Sequence, residues 1–252
     1  MSMVLVVTCI LTLFVIYDIL LKIARFLHRG RAVAIVDAYC DRVVDRIFSL
    51  LGLYCDLRLR PETKVEGPLP GRFMLVANHQ SLLDIPVCMK LVPGRKLRFV
   101  AKTELGGGIP FVSPVLRYQG HALVRRRGDF NQSMGALHRF ARRCRRDGSC
   151  PVVFPEGTRS RDGSLGVFYT AGIRKVLDEE SLPMVVVAID GGWRIAKFKD
   201  LFTDFRGLRY RFRVAAVLPA PKGKKETLEA IAESRRIIEA ELADMRRAGM
   251  TA

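Results

Sequence analysis

Residues 3–21 are apolar at nearly every position, interrupted only by Thr8, Thr12 and Asp18. As a helix, this stretch rises about 28 Å, close to the ~30 Å hydrocarbon core of a bilayer. It has no basic start and no small-residue cleavage site, so it does not read as a signal peptide. Lys22, Arg25, Arg29 and Arg31 follow at once without an acid among them. The positive-inside rule then puts the rest of the chain on the cytoplasmic side of a cell membrane. Asp18 lies near the end of the run, where an acid can reach the interface. Residues 32–54 change to a helical period: Val33, Val36, Cys40, Val43, Val44, Ile47, Leu50 and Leu51 recur at three- and four-residue steps, with Asp37, Asp41, Arg42, Asp45 and Arg46 largely between them. This second helix either packs on the following domain or lies in the membrane interface. The first either spans the bilayer or pairs with the second in one leaflet.

Beyond residue 70 short apolar runs alternate with helical patterns. Residues 73–77, 97–101, 122–124, 151–154 and 184–189 read as strands, the last wholly apolar as in a strand covered on both faces. Residues 131–146 place Met134, Leu137, Ala141 and Cys144 on one helix face, with Asn131 able to cap the start and Gly148 the end. Residues 209–214 alternate Arg-Tyr-Arg-Phe-Arg-Val, a strand with one basic face. Residues 219–225 read as a linker and 227–245 as an amphipathic helix. The expected fold is α/β: a mixed, partly parallel sheet flanked by helices, preceded by an N-terminal membrane-associated helix pair. The expected division is 1–55 for the membrane-anchoring helices, 56–220 for the catalytic domain and 221–252 for the C-terminal amphipathic helix.

Composition adds one constraint. The 252 residues carry 42 Lys plus Arg against 25 Asp plus Glu, a formal charge of +17 that calls for an anionic partner. The apolar N-terminus makes an anionic membrane or a phosphorylated substrate a better partner than nucleic acid, and Tyr210 and Phe212 alone make no stacking platform. The six cysteines form no C-x-x-C pair and read as reduced core residues; neither their spacing nor any histidine pattern calls for a metal.

The polar clusters follow the strands. His79 and Asp84 come after the first, Lys102 and Glu104 after the second, Arg125, Arg126 and Arg127 after the third, and Pro155-Glu156-Gly157-Thr158-Arg159-Ser160 after the fourth. If these strands are parallel, the clusters share one sheet edge, where α/β proteins bind ligands. An aspartate five residues after a histidine, across a turn into a helix starting near Ser81, can reach back to the imidazole Nδ1 and leave Nε2 as a base. The alternative is that Asn78 and Asp84 only cap that helix. Gly157 permits close backbone approach to a ligand, Arg159 offers a fork suited to phosphate, and Glu156 can hold Arg159 or accept from a substrate hydroxyl. Arg139, Arg142, Arg143, Arg145 and Arg146 read as a solvated helix face.

Asn78-His79-Gln80-Ser81-Leu82-Leu83-Asp84 resembles the histidine-x4-aspartate motif of glycerolipid acyltransferases, and Phe154-Pro155-Glu156-Gly157-Thr158-Arg159-Ser160 resembles that family's third motif. Order and gap also agree, and the similarity to bacterial 1-acyl-sn-glycerol-3-phosphate acyltransferases covers roughly residues 70 to 190. The resemblance implies transfer of a fatty acyl group from acyl-CoA or acyl carrier protein to a lysophospholipid hydroxyl, with no metal or redox cofactor. It implies His79 as base and Asp84 as its orienting partner. It further implies that Glu156, Gly157, Thr158 and Arg159, with Lys102 and Arg126, bind the acceptor's phosphate end, and that Leu182-Pro183-Met184-Val185 is the fourth motif. Two departures concern the acceptor: Arg125 stands where an acid is usual, and Phe168-Tyr169-Thr170-Ala171-Gly172 lacks the usual lysines. A lyso-lipid with another headgroup, such as lyso-ornithine lipid, is the alternative acceptor. The rival readings are a non-catalytic module that binds anionic lipid and a thioesterase using the same dyad on water.

Overall fold

The computed structural model describes residues 3–27, 32–125, 130–195 and 207–250. Helix α1 (Met3–Leu27) and helix α2 (Ala32–Cys55) pack on each other. α1 is long and apolar enough to cross a membrane, with a mean hydropathy of 2.7 in its most apolar window. One side, including Val6, Tyr17 and Leu21, is buried, whereas Leu11, Ile16, Ile19 and Ile23 are exposed. Asp18 does not reach outward, as the sequence alone led us to expect. It is 7% exposed, accepts the Phe111 N–H at 3.0 Å and pairs with Lys22 at 2.6 Å. A charge in an apolar helix is thus satisfied by backbone and a cation, as burial demands. α2 buries Val36, Cys40, Val43, Ile47 and Leu51, so its amphipathic pattern packs on the domain.

Strands β1 (Arg58–Thr63), β2 (Met74–Ala77), β3 (Leu97–Lys102), β4 (Ala122–Val124), β5 (Cys150–Val153), β6 (Met184–Asp190) and β7 (Arg209–Leu218) form one sheet in the order β1-β7-β6-β2-β5-β3-β4. β6, β2, β5, β3 and β4 are mutually parallel. β7 is antiparallel to β6, and β1 is parallel to β7. The mixed, largely parallel sheet agrees with the expected fold. β1 was not anticipated: Arg58-Leu-Arg-Pro-Glu-Thr lacks an apolar alternation, and Pro61 fits only because β1 is an edge strand.

Successive residues of β2 and β6 feed two cores. Leu75, Ala77, Val185 and Val187 face α1, α2 and helix α3 (Asp84–Leu91), while Met74, Val76, Val186 and Ala188 face the opposite helices. Those are α5 (Phe130–Asp147), α6 (Thr170–Leu177) and α7 (Gly223–Met250). Between them in sequence, helix α4 (Val112–Tyr118) packs on α2. The described part of α5 begins at Phe130, and the residues just before it, 126–129, lie outside the described ones. α7 starts at Gly223, inside the stretch expected as a linker, and its Ile231, Ile238, Leu242 and Met245 belong to the same core as α5 and α6. The basic side of β7 is exposed at Arg209 but covered at Arg213, which pairs with Glu62 of β1 and with Glu241 and Asp244 of α7.

A buried polar network ties α2 to the sheet. Arg98 of β3 pairs with Asp37 at 3.0 Å, and the Gln119 amide donates to Asp37 at 2.7 Å and accepts from the His121 ring at 2.8 Å. Burial and the Arg98 charge push the His121 pKa down to about 3, so its neutral Nδ1 accepts the Phe99 N–H. None of the six cysteines is in a disulfide among the described residues; five are buried and Cys9 is half-buried.

Candidate active site

The five parallel strands end at one edge. There β2 leads into Asn78-His79, β5 into Pro155-Glu156, β3 ends at Lys102 and β4 leads to Arg125. The polar clusters therefore share an edge, because parallel pairing puts every strand's C-terminal end on the same side. β5 sits between β2 and β3, so the segment carrying Glu156 and Arg159 lies between His79 and Lys102.

The turn from β2 into α3 builds the dyad. Asp84 opens α3 and is fully buried. Its Oδ2 accepts the Gln80 N–H at 2.6 Å and the Ser81 N–H at 2.9 Å, and lies 2.7 Å from His79 Nδ1. That contact makes Nδ1 the protonated nitrogen and leaves Nε2 unprotonated in the neutral ring. The His79 side chain keeps 14% exposure, whereas that of Asp84 has none. The ring stacks on Phe154 at 4.3 Å and 17°. Asn78 does not cap α3. Its side-chain amide donates to the Ile189 carbonyl and accepts the Ile189 N–H, both at 2.8 Å, and so fastens the end of β2 to β6.

Glu156 is occupied differently from the expectation. It is 4% exposed; one oxygen accepts the His79 N–H at 2.7 Å and the other the Gly166 N–H at 2.8 Å. Burial pushes its pKa up, opposed by these two bonds. It holds backbone on either side of the site. Gly157 takes a φ of +61°, which an L side chain resists, and lets the chain reverse after Glu156. Gly157 and Thr158 are exposed, and Arg159 is half-buried beside them. Ser160 donates its N–H to the His79 carbonyl at 2.7 Å, so this turn and the dyad are one unit. Lys102 is exposed at the end of β3. Arg126 lies outside the described residues.

Sequence reasoning missed three contributors. Tyr210 of β7 is fully buried and donates its hydroxyl to Asp84 Oδ1. Gln80 donates to Asp190 at 3.3 Å and accepts the Trp193 N–H. Arg246 of α7 pairs with Asp190 at 3.1 Å and donates to the Gly163 carbonyl at 2.6 Å. No local pattern marks such partners, since each lies more than 50 residues away from what it holds.

The edge thus carries a buried carboxylate that orients a histidine, with exposed Lys102 and half-buried Arg159 on the same side. The chain belongs to the acyltransferase family: the model of the family described as Acyltransferase matches residues 61–190, more than half of the sequence. It is similar to the chloroplastic 1-acyl-sn-glycerol-3-phosphate acyltransferase BAT2 of Brassica napus, with 32% identity over 123 residues, 48% of this chain and 33% of that protein. It is similar to 1-acyl-sn-glycerol-3-phosphate acyltransferase of Helicobacter pylori, with 31% identity over 152 residues, 58% of each. The chain thus spans less than two thirds of the length of these relatives. Its structure resembles the crystal structure of the 1-acyl-sn-glycerophosphate (LPA) acyltransferase PlsC from Thermotoga maritima, with a TM-score of 0.73 and 25% identity over 97% of this chain and 95% of that one.

Proposed function

We propose that this protein transfers a fatty acyl group from a thioester, acyl-CoA or acyl carrier protein, to the free hydroxyl of 1-acylglycerol-3-phosphate, forming phosphatidic acid. The observation that carries the reading is the His79–Asp84 contact of 2.7 Å at the edge shared with Lys102 and Arg159. His79 Nε2 takes the hydroxyl proton as the oxygen attacks the thioester carbonyl. The new C–O bond forms and the C–S bond breaks. The leaving thiolate takes the proton from the imidazolium, which restores neutral His79. A base so placed contributes about 10²–10⁴-fold in rate. The step needs no redox chemistry, since only a proton and an acyl group move, and His79 supplies its base.

Arg159, Lys102 and Arg126 hold the acceptor's phosphate through charge-assisted bonds and so bring its hydroxyl to the base. The exposed apolar side of α1 holds the enzyme on the membrane, and the basic residues after it place the catalytic domain on the cytoplasmic side. The similarity to lysophosphatidic acid acyltransferases supports this acceptor. The test uses purified full-length protein, thiol release from acyl-CoA or acyl carrier protein, and product analysis over a panel of lyso-lipids that includes lyso-ornithine lipid. Phosphatidic acid should form with lysophosphatidic acid, and His79→Ala should abolish it while folding and membrane binding persist. Near-normal turnover by His79→Ala would refute the reading. Thiol release independent of any acceptor would make the protein a thioesterase, and its absence with every acceptor and both donors a lipid-binding module.

A further inference from the structure

Asp84 is shared between two strands that the sequence separates widely. Its Oδ2 serves His79 Nδ1 and the Gln80 and Ser81 N–H groups, whereas Oδ1 takes the Tyr210 hydroxyl. Tyr210 is wholly inaccessible, and burial beside the Asp84 charge pushes its pKa well above the usual phenol value. It is therefore a donor over the whole working pH range. The backbone opposite is shaped around it. Gly192 lies just past β6, and a Cβ there would overlap the Tyr210 hydroxyl. The next residue, Trp193, gives its N–H to Gln80, so the turn that houses the phenol is also tied to the dyad's own loop.

We infer that Tyr210 is a positioning residue that sets the basicity of His79 through Asp84. The phenol fixes the carboxylate plane and draws negative charge toward Oδ1, which weakens the hold of Oδ2 on the imidazolium. Without that donor, the carboxylate is less well solvated and attracts a proton on His79 more strongly. The histidine's apparent pKa then rises. This inference rests on His79 acting as the base.

The experiment compares Tyr210→Phe with the parent by the pH dependence of kcat/KM, using one acceptor so that the phosphate's own titration is common to both. The acidic limb should move up by about half to one pH unit. Plateau kcat should fall by about 3- to 30-fold as the carboxylate loses a fixed orientation. Incorporation of 3-fluorotyrosine at position 210 keeps the shape and strengthens the donor, so the limb should move in the opposite direction. A limb that stays in place in both variants overturns the inference, whatever happens to kcat, because a merely structural role changes the amount of active enzyme and not its titration. That result leaves the dyad standing. Loss of the dyad reading is instead signalled by turnover in His79→Ala.

Discussion

The Glu156→Gln variant separates two roles for that residue. The resemblance implies contact with the acceptor's phosphate end, but a carboxylate repels a phosphate. Its oxygens already accept the His79 and Gly166 N–H groups at 2.7 and 2.8 Å. Glutamine keeps one acceptor oxygen and turns an NH₂ toward the other N–H. Both positions belong to one rigid plane, so relief of that clash at either N–H displaces the other. A buried donor left without an acceptor costs about 1–3 kcal/mol. If that cost is expressed at His79, kcat falls about 5- to 150-fold, at 1.36 kcal/mol per decade. Steady-state kinetics with the acceptor varied is the assay, and the acceptor KM should change little. A preserved kcat with a tenfold higher acceptor KM would refute the reasoning and return Glu156 to the acceptor. Thermal unfolding provides a second readout with a definite sign. Burial raises the Glu156 pKa in the folded protein, so the folded state binds more protons than the unfolded state in the window above about pH 4.3. Its contribution to stability is full below that value and is lost as pH rises through the raised folded value. The Tm advantage of the parent over Glu156→Gln should therefore shrink as pH rises through this window.

Two further variants test the cation and the scaffold. Arg159→Ala should raise the acceptor KM about 10- to 150-fold with kcat nearly kept, from loss of a charged hydrogen bond worth about 1.5–3 kcal/mol; an unchanged KM would remove Arg159 from the phosphate site. Arg98→Ala leaves Asp37 without its ion pair, and we expect a loss of about 2–4 kcal/mol, below the fully buried case because the Asp37 side chain keeps 20% exposure. In thermal unfolding that is a Tm lower by about 5–15 °C, and a Tm within 2 °C of the parent, as for an ordinary surface pair, would show that this network does not tie α2 to the sheet.

What the sequence determined by itself is local. The unbroken apolar run of α1, the three-to-four period of α2 and the short apolar strands each follow from side chains a few residues apart. The His79–Asp84 contact was legible for the same reason, since five residues across one turn suffice to close it. The shared edge could be stated only conditionally, because a strand's direction relative to another is not written in either one. Pairing made β2 through β6 parallel and turned β7 around, and that reversal brings Tyr210 to Asp84 across 126 positions. β1 stayed invisible because its residues gain strand structure only from β7 beside them. Glu156 and Asp18 show the same division. The sequence announced Asp18 as an acid in an apolar run and Glu156 as an acid after a strand, but the N–H groups that satisfy them come from His79, Gly166 and Phe111, which only tertiary packing brings within reach. A buried charge must be paired, and only the folded chain decides with what.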